Sequence, residues 1–464
     1  MPSVSRRELL LGSAGAVSAF AAGGLAAKGF AATEAAEHFL KLSNRDHSIL
    51  PGTLTHDMMS FLPDAPPPVL RMRQGQKVAI NVINALDEPT VVHWHGLRIP
   101  NRMDGVPYLT QYPIETGQSF RYEFTPPDAG TFWYHPHCNT LEQIARGLTG
   151  IMVVEEPEEI GFDQDLPLNI RDFRLGGDGQ FIAFTKPRNA ARGGTLGTVS
   201  TVNWQKEPVY ELQAGSLVRL RLAITDLTRV GTYELEGGQA RVIALDSHPL
   251  PKAMPAKDLV LSPGQRADIA LRVPDREEET VKLFLRRASG DRLLATFRAS
   301  GQSVRRDLKE LKPLPLNPVP EPDLANAEVI DFVFGWSPEG DAPQASICGS
   351  LGYTFWSINR MAWPGDTPGP FDPLATMKLG RSYVMRLRNE SPNAHPIHLH
   401  GVSFKLLRSN KRNLPPLVTD TALLLKDETM EVALVADNPG DWAFHCHVIE
   451  HQKTGLAGFL RIEA

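Results

Sequence analysis

The first and last thirds of the chain carry matching pairs of histidine segments, and this repetition constrains the fold more than any other feature. His93-Trp94-His95-Gly96 matches His398-Leu399-His400-Gly401. A second pair of segments ends in His135-Pro136-His137 in the first third and in His445-Cys446-His447 in the last third. The middle third has neither pair. The two ends are therefore predicted to be related domains that hold matching half-sites, with the middle third as a scaffold.

A glycine turn between two alternating runs occurs once in each third. The glycines are Gly75, Gly215 and Gly380, which lie 140 (215 − 75) and 165 (380 − 215) residues apart. The flanking runs alternate apolar and polar residues, which is typical of strands. The 38 Gly and 38 Pro also suit a β-protein with many turns. The sequence therefore predicts an all-β chain of three related domains, for which 464 residues are ample.

Two stretches of unusual composition separate these units. Residues 155–159 are rich in glutamate, and residues 312–318 are rich in proline. Domain boundaries tend to fall in such segments. The predicted domains are residues 38–156, 163–312 and 324–464.

The N-terminus carries a targeting pattern. Ser5-Arg6-Arg7-Glu8-Leu9-Leu10 is a twin-arginine motif, followed by a stretch rich in glycine and alanine. Residues 1–32 are predicted to be a cleaved signal peptide for the twin-arginine export machinery. The alternative is an uncleaved anchor, for which the stretch is weakly hydrophobic. The mature protein is predicted to be periplasmic or extracellular, without a membrane span and with its cofactor inserted before export.

Composition excludes several other classes. The net charge of −5 gives no electrostatic basis for binding nucleic acid. Three cysteines cannot supply a disulfide framework. The proportions of charged and hydrophobic residues, 22% and 42%, are those of an ordinary globular protein.

The histidine spacing predicts a metal cluster. Residues i and i+2 of a strand point to the same face, so each His-x-His pair sends two imidazoles the same way. Two such pairs in each outer domain give eight imidazoles, which are too many for one ion. Imidazole is a ligand for copper, zinc, iron and nickel, so the pairs alone leave the metal open.

Cys446 favours copper. It lies between His445 and His447 and therefore points to the opposite face of the strand, where it can meet His395 and His451. Two histidines and a cysteine are the ligands of a blue-copper electron-transfer site. Leu456 stands where a weak axial methionine often sits; it cannot bind copper, so the reduction potential should be high. Structural zinc would need cysteine-rich sets, which the sequence lacks.

In combination, these motifs resemble the three-domain multicopper oxidases, the laccase-like enzymes. The resemblance covers nearly all of the mature chain and is strongest to exported bacterial laccase-like oxidases linked to manganese oxidation. It implies three cupredoxin-like Greek-key β-sandwich domains and four coppers per chain. The implied ligands are His395, Cys446 and His451 for type 1 copper, His93 and His398 for type 2, and His95, His135, His137, His400, His445 and His447 for the type 3 pair. The implied reaction takes single electrons at type 1 copper, through Cys446, and reduces O₂ to water at the trinuclear cluster.

The same resemblance implies a proton relay. Asp104, nine residues after His95, matches the acid near the cluster, and its alternative role is that of a turn residue beside Gly105. Many bacterial relatives have a glutamate directly after the second type 1 histidine, where this chain has Gln452. A second relay is therefore not assigned, and Glu450 is not assumed to replace it.

The reducing substrate is left open as a phenol, an aromatic amine or a metal ion such as Mn(II). The eleven methionines are scattered, which weakens the alternative of a copper-homeostasis protein that oxidises or sequesters Cu(I). A non-enzymatic cupredoxin-fold protein is disfavoured because every expected ligand is present. Asp420 is expected either near the type 1 site, orienting the substrate, or as a solvated loop acid. Cys138 and Cys348 are expected to be buried free thiols; the alternative is a disulfide, because the resemblance implies that their domains lie together.

Overall fold

The computed structural model describes residues 36–62, 67–336, 338–339 and 343–464. The predicted signal peptide, residues 1–32, lies outside this part of the chain. The described residues form six sheets that pair into three sandwiches, and helices are few and short. The all-β prediction is confirmed. No helix in the described residues has the length and apolar character that a membrane span requires.

The first sandwich is made of two four-stranded sheets, in the orders β2-β1-β4-β6 and β3-β8-β7-β5. Its apolar core lies between them and includes Trp94, Tyr122 and Tyr134. Its elements are β1 (Ala36–Leu50), β2 (Thr53–Ser60), β3 (Val69–Arg73), β4 (Val78–Asn84), β5 (His93–His95), a 3₁₀ turn (Asn101–Met103), β6 (Ser119–Phe124), β7 (Gly130–His135), α1 (Thr140–Ala145) and β8 (Gly150–Glu155).

The second sandwich pairs a six-stranded sheet, β10-β9-β12-β17-β14-β15, with a five-stranded sheet, β11-β19-β18-β13-β16. Its elements are β9 (Gln164–Phe173), α2 (Pro187–Ala190), β10 (Val199–Val202), β11 (Val209–Gln213), β12 (Leu217–Ile224), β13 (Gly231–Glu236), β14 (Gln239–Leu245), β15 (His248–Pro255), β16 (Leu259–Leu261), β17 (Arg266–Arg272), β18 (Thr280–Arg286), β19 (Arg292–Ser300) and a 3₁₀ turn (Leu308–Glu310).

The third sandwich has the sheets β21-β20-β23-β28-β25-β26 and β22-β30-β29-β24-β27. Its elements are β20 (Glu328–Trp336), β21 (Trp356–Ile358), β22 (Ala375–Lys378), β23 (Ser382–Asn389), β24 (His395–Leu399), β25 (Phe404–Ser409), β26 (Val418–Thr419), β27 (Thr421–Leu424), β28 (Thr429–Val435), β29 (Gly440–Cys446), α3 (Ile449–Lys453) and β30 (Ala457–Glu463).

The three glycine turns seen in the sequence occupy equivalent places in the three sandwiches. Gly75, Gly215 and Gly380 follow β3, β11 and β22, and each turn leads into a strand of the facing sheet. Their φ angles are +75°, +67° and +79°. This left-handed conformation is one that glycine adopts without steric cost. In each domain, the repeated sequence segment therefore marks the point where the chain passes from one sheet of the sandwich to the facing sheet.

The first and third sandwiches are joined covalently. Cys138 and Cys348 form a disulfide, so the prediction of two free thiols is wrong. Cys138 directly follows His137 and lies just beyond the end of β7, at the interface with the third sandwich. The disulfide was only the alternative because no local motif links the two residues, which are 210 positions apart and belong to different domains. Arg98 adds a polar contact across the same interface, with its Nη1 2.6 Å from Asp437 Oδ2.

Candidate metal centre

Strand pairing places the histidines of both outer sandwiches in the same register. In the first sandwich, β5 pairs antiparallel with β7, and His93 lies opposite His135. In the third, β24 pairs antiparallel with β29, and His398 lies opposite His445. Each pairing sets two His-x-His segments side by side on one face, so each sandwich presents four imidazoles.

The two sets of four meet between the sandwiches. His93 stacks on His400 with ring centroids 3.8 Å apart, and His95 stacks on His398 at the same separation. We call this group the interdomain site. Each of its rings is at most 2% exposed. Its members are His93, His95, His135, His137, His398, His400, His445 and His447.

Hydrogen bonds at one ring nitrogen leave the other nitrogen free to face the site. His93 Nδ1 donates to the carbonyl of Asp104 at 2.8 Å, and His398 Nδ1 donates to the carbonyl of Asp420 at 2.8 Å. The Nε2 atoms of both rings are buried without any hydrogen-bond partner. Buried polar atoms are nearly always satisfied, so these two nitrogens are expected to bind a partner such as a metal ion.

The donor geometry fits bound metal ions. Four interdomain groups have ligand atoms that all lie within 4.8 Å of one another. Unpartnered inner nitrogens and outer nitrogens held by carbonyls or carboxylates are the arrangement expected of metal-ligating histidine. These groups are His93, His398 and His400; His93, His95 and His135; His137, His400 and His445; and His95, His398 and Asp420.

Burial favours the neutral form of five of these imidazoles. Burial, followed by repulsion from neighbouring histidines, holds the pKa of His95, His135 and His400 well below its usual range. His445 and His447 are lowered in the same way. Neutral imidazole is the form that binds metals, so the site is prepared to accept cations.

A second cluster lies inside the third sandwich, and we call it the Cys446 site. Cys446 Sγ is 3.6 Å from His395 Nδ1 and 3.5 Å from His451 Nδ1, and these two nitrogens are 3.1 Å apart. All three side chains are fully buried. Leu456 packs in the same apolar core as Cys446. The three ligand atoms therefore converge on one point, beside a side chain that cannot bind metal.

The thiol of Cys446 also fits a bound cation. Burial raises the pKa of this thiol well above its usual range, although the amide of Val448 donates to the sulfur. A thiolate here needs a positive charge directly beside it, which a bound metal ion supplies. Burial also lowers the pKa of His451 to about 4, so this ring is neutral at ordinary pH.

Asp104 lies at the interdomain site, between the two outer sandwiches. It is 1% exposed, and its Oδ2 is 2.9 Å from Nδ1 of His400 in the third sandwich. Its carbonyl accepts from His93 of the first sandwich. One residue therefore orients a ring from each half of the site.

Asp420 does not lie at the Cys446 site, nor is it solvated, so both expectations for it are wrong. It is 2% exposed, and its Oδ1 is 3.2 Å from His95 Nε2 at the interdomain site. Burial alone would raise its pKa, but attraction to Arg266 and hydrogen bonds with His398 and His95 hold the pKa well below its usual range. Asp420 directly precedes β27, the strand that pairs with the ligand strand β24, and its carbonyl accepts from the amide of Leu399, which holds it beside the interdomain histidines.

The second sandwich also supplies residues that line the interdomain site. Arg266, which is fully buried, forms a two-pronged ion pair with Asp420 through Nη1–Oδ1 (2.9 Å) and Nη2–Oδ2 (2.5 Å). A Cβ on Gly264 would lie 2.9 Å from His447 Cδ2 and 3.1 Å from His95 Cε1. The scaffold domain therefore lines the interdomain site, although the described metal-binding groups include none of its residues.

Three further polar residues, Asp366, Gln452 and Lys453, lie on the side of the site near His137. His137 Nδ1 is 3.0 Å from Asp366 Oδ2, and its Nε2 is 3.2 Å from the Gln452 amide nitrogen. Lys453 Nζ lies 3.5 Å from the same Asp366 oxygen. Glu450 instead accepts from Thr185 and Thr195, away from His137.

Sequence reasoning missed Asp366, Arg266 and Gly264. Asp366 lies in a loop rich in Pro and Gly, 229 residues from His137, with no motif around it. Arg266 and Gly264 belong to the segment Ser262-Pro263-Gly264-Gln265-Arg266. Its sequence predicts only an ordinary glycine turn before a strand. Only the folded interface shows that this turn faces the histidines.

Comparisons with known proteins agree with this geometry. Two family profiles described as multicopper oxidase match residues 43–159 and 349–463. Multicopper oxidase MmcO of Mycobacterium tuberculosis is 28% identical over 433 residues, which cover 84% of this chain and 80% of that protein.

Solved structures match more closely. A multi-copper oxidase from Pseudomonas thermotolerans is 42% identical with a TM-score of 0.82, and one from Pseudomonas parafulva is 40% identical with a TM-score of 0.81. Each match covers 92% of this chain and all of the other chain. The prediction of cupredoxin-like sandwiches is confirmed.

Proposed function

This chain belongs to the multicopper oxidase family and is a copper-dependent oxidoreductase, and we propose that it is an exported laccase-like oxidase. It takes single electrons from a small reducing substrate and uses four of them, with four protons, to reduce one O₂ to two waters. The observation that carries this proposal is the presence of eight buried histidines between two sandwiches together with a cluster of His395, Cys446 and His451, in which Cys446 shares strand β29 with the interdomain ligand His445.

The ligand sets follow from the two clusters. The Cys446 site holds type 1 copper, on His395, Cys446 and His451. In the interdomain site, His93 and His398 hold type 2 copper, and the other six histidines hold the type 3 pair. When bound, the type 1 copper would supply one-electron oxidation of the substrate, and the coppers of the interdomain site would supply O₂ reduction.

The chain itself links the two sites. Cys446 faces the sandwich interior, while its neighbours His445 and His447 face the interdomain site. Only a few covalent bonds separate the sulfur from either imidazole. Electrons accepted at the Cys446 site therefore have a short path to the place where O₂ is reduced.

Asp104 is proposed to supply protons to the interdomain site. Its carboxylate touches His400 and is buried at the centre of the interface. We expect Asp104→Asn to lower turnover and to change the dependence of kcat on pH, because the amide cannot release a proton. Asp331→Asn, at an exposed carboxylate paired with Arg386, is the control. Normal turnover with an unchanged pH profile in the Asp104 variant would refute the relay.

The reductant is proposed to be a phenol, an aromatic amine or a metal ion such as Mn(II). The alternative of a copper-homeostasis protein has less support, because eight of the eleven methionines are buried in the apolar cores. They are therefore not available as a thioether surface for Cu(I), for which soft ligands are preferred.

Export by the twin-arginine pathway is proposed on the motif at Arg6 and Arg7. A chain that must acquire copper in two buried sites is suited to a pathway that carries folded proteins. N-terminal sequencing of the exported protein tests this, and a start near residue 33 is expected. An exported protein that begins at Met1 would contradict cleavage.

The function is tested by copper analysis followed by oxygen uptake. We expect four coppers per chain, a blue absorption band and an EPR signal of type 1 and type 2 copper. Oxygen consumption is then compared with a phenol, Mn(II) and Cu(I) as reductants on one preparation. Preference for Cu(I) would favour the copper-homeostasis alternative, and a copper-loaded chain that consumes no O₂ with any reductant would contradict the proposal.

A further inference from the structure

Neither histidine of the Cys446 site reaches the surface. His395 and His451 are 0% exposed. His451 Nε2 donates to the carbonyl of Arg192 at 2.6 Å, and His395 Nε2 lies 2.8 Å from Ser391 Oγ. The outer edges of both rings are therefore occupied by the protein. A reducing substrate must pass its electron through other residues.

Two tryptophans connect these rings to the surface. Trp356 is fully buried, and its ring centroid lies 5.0 Å from that of His395 and 4.7 Å from that of His451. Trp336 lies directly opposite Trp356 in the pairing of β20 with β21, with ring centroids 5.3 Å apart. The side chain of Trp336 is 45% exposed. Aromatic rings therefore form a continuous path from the Cys446 site to the surface.

The path ends in a cavity of about 630 Å³, which we call the Trp336 cavity. Its walls come from the ends of β20, β21 and β23, so its shape is set by the sheet. A volume of this size accommodates a small aromatic molecule. Besides Trp336, the lining residues that bear on its chemistry are Asn359, Arg360, Arg388 and Glu390.

The lining favours an aromatic molecule over a metal ion. Glu390 is the only carboxylate among the described residues that line the cavity, and it is paired with Arg388 at 3.0 Å. Mn(II) prefers several oxygen ligands, and Cu(I) prefers thioethers or thiolates. Arg360 is likewise paired with Glu339 at 2.7 Å, so the charges around the cavity are balanced, and the exposed indole face of Trp336 suits an aromatic ring.

We propose that the Trp336 cavity binds a phenol or aromatic amine, and that its electron passes through Trp336 and Trp356 to the Cys446 site. The inference rests on the proposed function and names the substrate class for that site. Each phenol loses one electron and its hydroxyl proton and leaves as a phenoxyl radical. The proton goes to solvent at the open cavity, and the electron passes through Trp336 and Trp356 to the Cys446 site, where a copper held by His395, Cys446 and His451 would supply the one-electron oxidant.

Binding can be measured without oxidation. The copper-loaded enzyme is first reduced under argon, so that it cannot accept electrons, and is then titrated calorimetrically with 2,6-dimethoxyphenol. We expect Trp336→Leu to weaken binding about tenfold, because ring stacking contributes that much beyond simple burial. Trp336→Phe, which keeps a ring, should restore most of the affinity. Tyr112→Leu, at an aromatic residue 80% exposed in a different cavity, should leave it unchanged.

Electron transfer is measured separately by mixing the oxidised enzyme with the phenol under argon and following the loss of the blue band. In Trp336→Leu the saturating rate should fall, whereas Tyr112→Leu should match the unaltered enzyme. An unchanged affinity and rate in Trp336→Leu would overturn the inference. So would an equal loss of rate with Mn(II) or Cu(I) as donor, since the effect would not then depend on an aromatic substrate. In either case the unaltered enzyme still consumes O₂, which separates this failure from failure of the proposed function.

Discussion

The Cys446 site and the interdomain site share strand β29, but they depend on different amounts of the molecule. His395, Cys446 and His451 all belong to the third sandwich, and the second sandwich only covers them with the carbonyl of Arg192. The interdomain site takes four rings from each outer sandwich. It is also lined by the second sandwich, through Arg266 and Gly264.

This difference shows that the ligands of the Cys446 site come from one domain, whereas the interdomain site forms only when the three domains pack together. The Cys446 site needs one sandwich to fold, whereas the interdomain site needs all three to pack correctly. Changes at the interfaces should therefore empty the interdomain site first. Changes at the sulfur should leave it loaded.

The largest effect is expected from Cys446→Ser. A hydroxyl is a poor replacement for a thiolate as a copper ligand, so the variant should lose its blue colour and all turnover. It should lose one copper per chain and keep those of the interdomain site, as measured by metal analysis and EPR. Loss of all copper would show that the two sites are not separable.

Arg266→Met tests the interdomain site from the second sandwich. It leaves the buried carboxylates of Asp246 and Asp420 without their cation, which should cost about 3–5 kcal/mol of unfolding free energy. Chemical denaturation measures this loss. Metal analysis should show interdomain copper reduced while the blue band persists.

The matched control is Arg298→Met, which removes an exposed arginine paired with Glu211 in the same sandwich. Exposed ion pairs contribute little, so stability and copper content should barely change. If Arg266→Met behaved like this control, the second sandwich would be only a spacer.

Removing the disulfide with Cys138→Ser and Cys348→Ser loosens the contact between the outer sandwiches. The expected loss is about 2–4 kcal/mol, because the bridge closes a loop 210 residues long. Copper in the interdomain site should fall more than copper in the Cys446 site. Equal loss from both sites would argue that the bridge stabilises the whole chain rather than this interface.

Acid should destabilise the copper-free chain. The pKa of His451 is lowered by burial from 6.5 to about 4, so between these values the unfolded chain binds a proton that the folded chain does not. Stability should therefore fall as pH drops from 6.5 towards 4, by about 1.4 kcal/mol per unit for each such group. Thermal unfolding at a series of pH values measures this.

The interdomain site should respond to acid first, because it holds more lowered histidines than the Cys446 site does. Hydrogen exchange at β5 and β7, which carry interdomain histidines only, should rise at a higher pH than exchange within the core of the third sandwich. Copper-loaded protein is the control. Its stability should change less over this pH range, because bound metal competes with protons for the imidazoles. A copper-free chain whose stability is constant from pH 7 to 4 would contradict this account.

The sequence predicted what depends on strand period and internal repetition. Alternation along β29 sends His445 one way and Cys446 the other, and the glycine turns at Gly75, Gly215 and Gly380 mark three equivalent strand pairs. These signals are local, so they can be read without a structure. The same alternation groups the histidine ligands on shared strand faces.

Strand period and internal repetition do not predict contacts between distant segments of the chain. The disulfide of Cys138 and Cys348, and the contact of Asp366 with His137, join residues more than 200 positions apart. The position of Asp420 was predicted wrongly because its partner, Arg266, comes from the domain that lacks histidine pairs. The folded interface, rather than any motif, selects these residues.

The most direct test of the whole account is anomalous X-ray diffraction from crystals of the copper-loaded protein at the copper absorption edge. The account predicts four peaks, one between His395, Cys446 and His451 and three among the eight histidines between the outer sandwiches. Peaks elsewhere on the molecule, or an interdomain site without copper while Cys446 is occupied, would contradict it.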